Sequence, residues 1–160
     1  MTFRQAVEQT PYLEQAWQVG LQALRAEDRP HVRPENTQNL RGSADIDKAL
    51  VKKEPRANRW DFAIAYQHTN LENEFIYWVE THTGSDNQVK VVLKKFEWLK
   101  SWLRQNGWHF KGFMQDFYWV ASGATSFTKG SRQVKILASK GLLYSGSVLR
   151  IQNEYSTRRR

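Results

Sequence analysis

Asp61 and Glu80 are carboxylic acids set inside apolar, strand-like runs. Asp61 lies in Arg59-Trp60-Asp61-Phe62-Ala63-Ile64-Ala65-Tyr66, and Glu80 in Phe75-Ile76-Tyr77-Trp78-Val79-Glu80-Thr81-His82. The polar stretch His68-Thr69-Asn70-Leu71-Glu72-Asn73 between them reads as a turn. A symmetric hairpin closed by that turn sets Gln67 opposite Glu74 and Asp61 opposite Glu80. Directly opposed side chains have Cβ atoms about 4.5–5.5 Å apart, and like charges there repel. A divalent cation offsets that cost. Mg2+ (or Mn2+) is held by one or two carboxylates with water and phosphate, and it polarises a phosphodiester and supplies an attacking water. Asp61 and Glu80 are therefore the candidate metal ligands and catalytic acids. The structural alternative is a pair neutralised by Arg56, Arg59 or a helix lysine. A slip of one residue in register would instead send the two acids to opposite faces.

His82 lies two residues beyond Glu80, hence on the same strand face. It is a candidate proton carrier or metal ligand, against the plainer reading of a polar strand end. Lys90, Lys94 and Lys95 lie on the segment that follows. A lysine reaching back would stabilise charge developing at phosphorus, whereas the ordinary outcome is a solvated helix face. Glu14 could add a third carboxylate if it left the surface. Ser43-Ala44-Asp45-Ile46-Asp47 after Gly42 has the residue types of a nucleotidyltransferase metal site. The Gly-Ser to acid spacing is far too short for one, and helix capping explains these residues more simply. His31, His68, His82 and His109 lack zinc-ligand spacing. There is no glycine-rich phosphate loop or nucleophile elbow.

The elements that must position these groups follow from periodicity. Thr10-Pro11 is a helix-opening pair, and Leu13, Ala16, Trp17, Gly20, Leu21 and Leu24 keep a 3.6-residue period. The sequence thus predicts a helix from Pro11 to Glu27, with Phe3 to Val7 as a lead-in turn. Residues 28–42 read as a loop and Ser43 to Leu50 as a short helical turn, with a further strand hidden in 48–58. In the hairpin, Asp61, Ala63 and Ala65 share a face with Glu80, Trp78 and Ile76. The other face pairs Phe62, Ile64 and Tyr66 with Val79, Tyr77 and Phe75. Both faces are apolar, so the hairpin is central and covered on both sides. Val89, Val92, Leu93, Phe96, Leu99 and Leu103 form a helix stripe, capped by Ser85 or Asp86 and stopped at Asn106-Gly107, with Trp98 pointing away. Gln115 to Ala121 is a strand, Gly123 to Gly130 a polar loop, Ser131 to Lys140 a helix and Ser147 to Gln152 a last strand. The fold class is α/β, a mixed central β-sheet flanked by helices.

Composition sets outer bounds. The 160 residues fit one domain, 1–155, with a basic tail at 156–160. The chain has no cysteine, which excludes disulfides, thiolate catalysis and cysteine-based zinc sites. No apolar run is long enough to cross a bilayer and no signal-peptide pattern opens the chain, so the expected location is cytoplasmic, with no membrane partner. The net charge of +8 favours a polyanion. Monomer and dimer both remain open. Trp98, Trp102 and Trp108 could form an exposed aromatic patch for a protein partner.

An Asp on one strand, a Glu followed two residues on by a polar group on the next, and then a basic helix resemble the PD-(D/E)xK nuclease superfamily, whose core runs helix, three strands, helix, strand. The match covers Pro11 to Ala121. The resemblance implies a restriction-endonuclease-like α-β-β-β-α-β core and Mg2+-dependent cleavage of DNA or RNA. Asp61 takes the metal-binding aspartate's place and Glu80 that of the acid in the Glu-x-Lys element. His82 stands where the lysine belongs. Some members recruit a lysine from the next helix, a place that Lys94, Lys95 or Lys90 could fill. The string from Arg59 to Lys100 also resembles a bacterial family of small proteins, which implies no activity.

The leading expectation is a nuclease with Asp61, Glu80, His82, Lys94 and Lys95 in catalysis. Arg41, Lys52, Lys53, Arg56, Arg59 and Lys90 would hold the nucleic-acid backbone. The alternative is a catalytically altered module that binds nucleic acid or a protein without cleaving.

Overall fold

The computed structural model describes residues 1–123 and 131–157. The polar loop expected at 124–130 and the arginines at 158–160 lie outside them. In chain order the helices and strands are α1 (Phe3–Gln9), β1 (Trp17–Gln18), β2 (Val32–Pro34), β3 (Leu40–Asp45), α2 (Ile46–Leu50), β4 (Phe62–Tyr66), β5 (Phe75–Thr83), α3 (Val89–Asn106), β6 (Met114–Ser122), α4 (Arg132–Ser139), β7 (Leu143–Gly146) and β8 (Leu149–Ile151).

The predicted hairpin register holds. Phe62 pairs with Val79, Ala63 with Trp78, Ile64 with Tyr77, Ala65 with Ile76 and Tyr66 with Phe75. β4 and β5 sit inside a mixed six-stranded sheet of order β1-β3-β4-β5-β6-β7. β3, β4 and β5 are antiparallel neighbours, while β6 runs parallel to both β5 and β7. A parallel neighbour needs a crossover, and α3 supplies it between β5 and β6. The architecture is therefore α/β.

Both faces of the hairpin are buried. Ala63, Ala65, Ile76 and Trp78 join one cluster, to which α1 gives Phe3, Ala6 and Val7, α2 gives Ile46 and Leu50, α3 gives Val92, Phe96, Leu99 and Trp102, and α4 gives Leu137. Phe62, Ile64, Tyr66, Phe75, Tyr77 and Val79 face a second cluster with Leu24, Val32, Leu149 and Ile151. Among the described residues the helices thus pack on one side of the sheet. The small parallel pair β2–β8 covers the other, with Val32 opposite Leu149. His68, expected in the polar turn, belongs to this second side. It is buried, and its Nε2 lies 2.8 Å from the Tyr77 hydroxyl.

The predicted helix at Pro11 to Glu27 does not form. The helix is Phe3–Gln9 instead, started by a capping box in which Thr2 Oγ1 accepts from Gln5 N and Gln5 Oε1 accepts from Thr2 N. Thr10 ends this helix rather than opening one, and its hydroxyl donates to Ala6 O at 2.7 Å. Tyr12 then takes φ 71° and Gly20 φ 54°, both outside helical space. Leu13 packs in the first cluster and Leu24 in the second. The 3.6-residue spacing therefore never described one stripe, since its apolar residues serve opposite faces of the sheet.

Two further expectations are corrected. The strand sought in 48–58 lies earlier, at Leu40–Asp45, and β7 was not foreseen. β3 holds no β-branched or aromatic residue, so its composition does not announce a strand. The aromatic patch is not exposed: Trp102 is buried, and Trp98 stacks on it with centroids 6.1 Å apart and donates to Glu54 Oε1. Only Trp108 of the three is open to solvent.

Gly42 sits where β3 is bulged, at φ 109°. A Cβ there would run into the Trp17 indole and lie 2.9 Å from Gln18 O. Gly42→Ala is expected to cost about 2 kcal/mol, because strain of this kind runs to ~1–3 kcal/mol. Detachment of the two-residue β1 limits the damage. Urea unfolding measures it, and unchanged stability would mean that the Trp17 contact gives way freely.

Candidate active site: a buried acid pair between two cations

Asp61 immediately precedes β4 and keeps its register, so it faces Glu80 of β5. Each acid is held by the other's strand. Asp61 N donates to Glu80 Oε1 at 3.2 Å, while Thr81 N and Thr81 Oγ1 donate to Asp61 Oδ2, both at 3.0 Å. Glu80 is 0 % exposed and Asp61 4 %. Two anions this deep need cations, and two arrive from different elements. Lys95, in the second turn of α3, places Nζ 2.7 Å from Glu80 Oε2. Arg25, in the turns before β2, reaches Asp61 Oδ2 at 3.5 Å, Thr81 Oγ1 at 3.2 Å and the buried Asp28 at 2.8 Å.

Electrostatics follow from the burial. Loss of solvent pushes the Glu80 carboxyl well above its ordinary value, and the neighbouring Asp61 charge pushes the same way against the pull of Lys95. Burial lowers Lys95, but Glu80 and Asp61 outweigh it, so its ammonium is held more firmly than usual. Asp45, at the end of β3, is raised mainly by burial.

His82 sits on the Glu80 face as expected. Its Nδ1 is 3.9 Å from Glu80 Oε2, and its Nε2 lies 2.6 Å from Gln88 Oε1. Of the three helix lysines, Lys95 alone enters the pair; Lys90 and Lys94 are exposed. Arg59, expected on the phosphate backbone, turns inward to Asp47 at 2.9 Å and Glu54 O at 2.6 Å. Arg41 bonds to the carbonyls of Gln38 and Leu40. Lys52, Lys53 and Arg56 are exposed. Glu14 is exposed in a turn, not the third carboxylate. Asp45 caps α2 through Lys48 N at 2.8 Å, the capping role that its position suggested.

The sequence reading missed Arg25, Asp28 and Thr81. The available signal was the i,i+3 spacing of Arg25 and Asp28, which straddles the predicted end of the helix at Glu27.

The acid pair does not open directly to solvent. Arg25 and Asp45 also line a cavity of about 500 Å³, whose other walls include Tyr12, Gln15, Gln22 and Lys48. Arg25 is thus the link between the buried acids and an open cleft.

Two adjacent carboxylates match the oxygen preference of Mg2+ or Mn2+, which accept one or two such ligands and keep water and phosphate for the rest. Burial and the neighbouring Asp61 charge both raise Glu80, so this donor set favours added positive charge. Among the described residues no group of three or more His, Asp or Glu side chains is placed to hold a metal, so the donor set is this pair alone. Among them, too, no helix is long and apolar enough to cross a membrane.

No protein-family model matches the chain, and neither the curated proteins nor the solved structures searched contain a match.

Proposed function

We propose that this chain is a divalent-metal-dependent nuclease of the PD-(D/E)xK kind. The observation that carries the reading is the convergence of three side chains from three elements: Asp61 before β4, Glu80 on β5 and Lys95 on α3, with Lys95 Nζ 2.7 Å from Glu80. His82 holds the place where such enzymes carry lysine, and Lys95 brings the missing ammonium from the next helix. With β1, β2 and the short α2 set aside, the order α1, β3, β4, β5, α3, β6 runs helix, three strands, helix, strand, which supports the reading. The net charge of +8 supports a polyanionic substrate.

Asp61 and Glu80 would hold Mg2+ or Mn2+, which when bound polarises a phosphodiester and acidifies a water. Lys95 remains charged beside them and is poised to stabilise negative charge that develops at phosphorus. Thr81 fixes the Asp61 carboxylate through two hydrogen bonds. His82, one-quarter exposed, is positioned to pass a proton between Glu80 and solvent.

A second reading is favoured by one observation: both acids are nearly sealed from solvent. The pair would then be a structural ion cluster in a module that binds nucleic acid without cutting it. Calorimetry with Mn2+, paired with cleavage assays on DNA and RNA, separates the two. The nuclease is expected to bind Mn2+, cut at least one substrate, and lose both properties in Glu80→Gln. No Mn2+ binding, with nucleic-acid affinity that falls steeply with salt, would leave the second reading standing.

A further inference from the structure

The 500 Å³ cleft beside the acid pair is lined by groups of different chemistry. Two cations are among them. Arg25 touches Asp61 within the cluster and lines the cleft outside it, and Lys48 makes no ion pair among the described residues. The Tyr12 ring, also in the lining, is half exposed, and Lys53 Nζ lies 5.4 Å from its centroid. Tyr12 holds φ 71°, which is rare for a bulky residue and uncommon outside sites that use it. Gln15, Gln18 and Gln22 line it too, and their side-chain amides find no hydrogen-bond partner among the described residues. Asp45 spends one oxygen on Lys48 N and has the other without a bond from them.

A pocket lined by cations, an aromatic face and uncharged amides matches one nucleotide. Guanidinium and ammonium groups suit a phosphate. A tyrosine ring suits a base face. Glutamine amides and a carboxylate suit the donors and acceptors of a base edge, as in recognition of unpaired bases. The volume lies within the range of small-molecule pockets, roughly 300–1,000 Å³. A base stacked inside a continuous duplex could not enter such a cleft, whereas one in a single strand could.

We infer that the cleft between Arg25 and Tyr12 takes a single unstacked nucleotide, with its phosphate on Arg25 and Lys48 and its base against Tyr12. The substrate is accordingly single-stranded or locally opened nucleic acid, an assignment that rests on the nuclease reading for its link to cleavage. Arg25 becomes a positioning residue, drawing the phosphate toward Asp61 and Glu80.

The test is fluorescence anisotropy in EDTA, with a short labelled single strand and a blunt duplex of the same sequence. Wild-type protein should bind the single strand roughly ten-fold more tightly, as expected for one stacked base. Tyr12→Gly, which tolerates the positive φ, should lose that preference and leave duplex binding unchanged. Lys48→Ala should weaken single-strand binding and flatten its salt dependence. A thermal melt checks that both variants fold. Equal affinity for strand and duplex, no binding, or a Tyr12→Gly variant that keeps the preference would each overturn the assignment. Preference for the single strand without any Mn2+-dependent cleavage would remove the nuclease reading and leave the cleft. Cleavage without preference would remove the cleft assignment alone.

Discussion

Asp61→Asn is expected to cut metal-dependent cleavage by about a thousand-fold or more while leaving the fold in place. A thousand-fold loss is roughly 4 kcal/mol of transition-state stabilisation, within the several kcal/mol that a bound metal supplies. The structural cost should be small for a specific reason. An asparagine oxygen can still accept from Thr81 N and Thr81 Oγ1, the two bonds that fix this side chain. Arg25 loses one anion but keeps Asp28 at 2.8 Å. Alanine would be a poorer probe, because it leaves the Thr81 N–H buried and unpaired at a cost of ~1–3 kcal/mol. The substitution also has a readout that does not depend on activity. Asp61 is one of the groups that push the Glu80 carboxyl up, so removing its charge should move Glu80 ionisation to lower pH. Carbon-detected NMR titration of Glu80 measures this directly. Cleavage at the wild-type rate would dispose of the metal site. An unmoved Glu80 would mean that the two carboxyls are not coupled.

How far the sequence reached can be judged from these same residues. Asp61 and Glu80 were legible because strand pairing is a rule of alternation, and the small residues Ala63 and Ala65 faced the large Trp78 and Ile76 in one register only. Lys95 was legible as one of three candidates. Choosing among them requires the rotation of α3 against the sheet, and that is set by where Val92, Phe96 and Leu99 pack. Arg25 was not legible. Its segment carries a helical period, yet its apolar residues divide between the two faces of the sheet, and a one-dimensional pattern cannot distinguish one stripe from two. β3 was hidden for a different cause. Leu40-Arg41-Gly42-Ser43-Ala44-Asp45 lacks the residues that favour strands, and it is held by its neighbour β4 and by Gly42, which lets the Trp17 indole approach. Tertiary context overrides local propensity at these places, and there the cleft and its cation arise.

Lys95→Met should destabilise the protein by about 3 kcal/mol near pH 7.5 and by far less near pH 4.5. The sign follows from the Glu80 carboxyl. Its folded-state pKa is raised above the ordinary 4.5, chiefly by burial, so its favourable contribution is full below 4.5 and is lost as pH rises through the folded value. Lys95 is the group that opposes this rise. Without it, Glu80 must either keep its proton or ionise with no cation in contact. Keeping a proton at pH 7.5, about 3 units above the unfolded pKa, costs up to about 4 kcal/mol at 1.36 kcal/mol per unit, and the raised Glu80 of the wild-type protein already bears part of it. Breaking a buried pair by removing one partner falls in the same range, ~3–5 kcal/mol. The lower end applies, because the Lys95 side chain is 22 % exposed. Near pH 4.5 the glutamate is protonated in both proteins, and the deficit shrinks. Urea unfolding at the two pH values gives the comparison, and the double variant Lys95→Met with Glu80→Gln should recover most of the loss at pH 7.5. An equal deficit at both pH values, or no recovery in the double variant, would show that Lys95 acts through packing of its aliphatic stem. The double variant also separates stability from chemistry. It should fold well and still cut nothing, because Glu80→Gln also takes away one of the two proposed metal ligands.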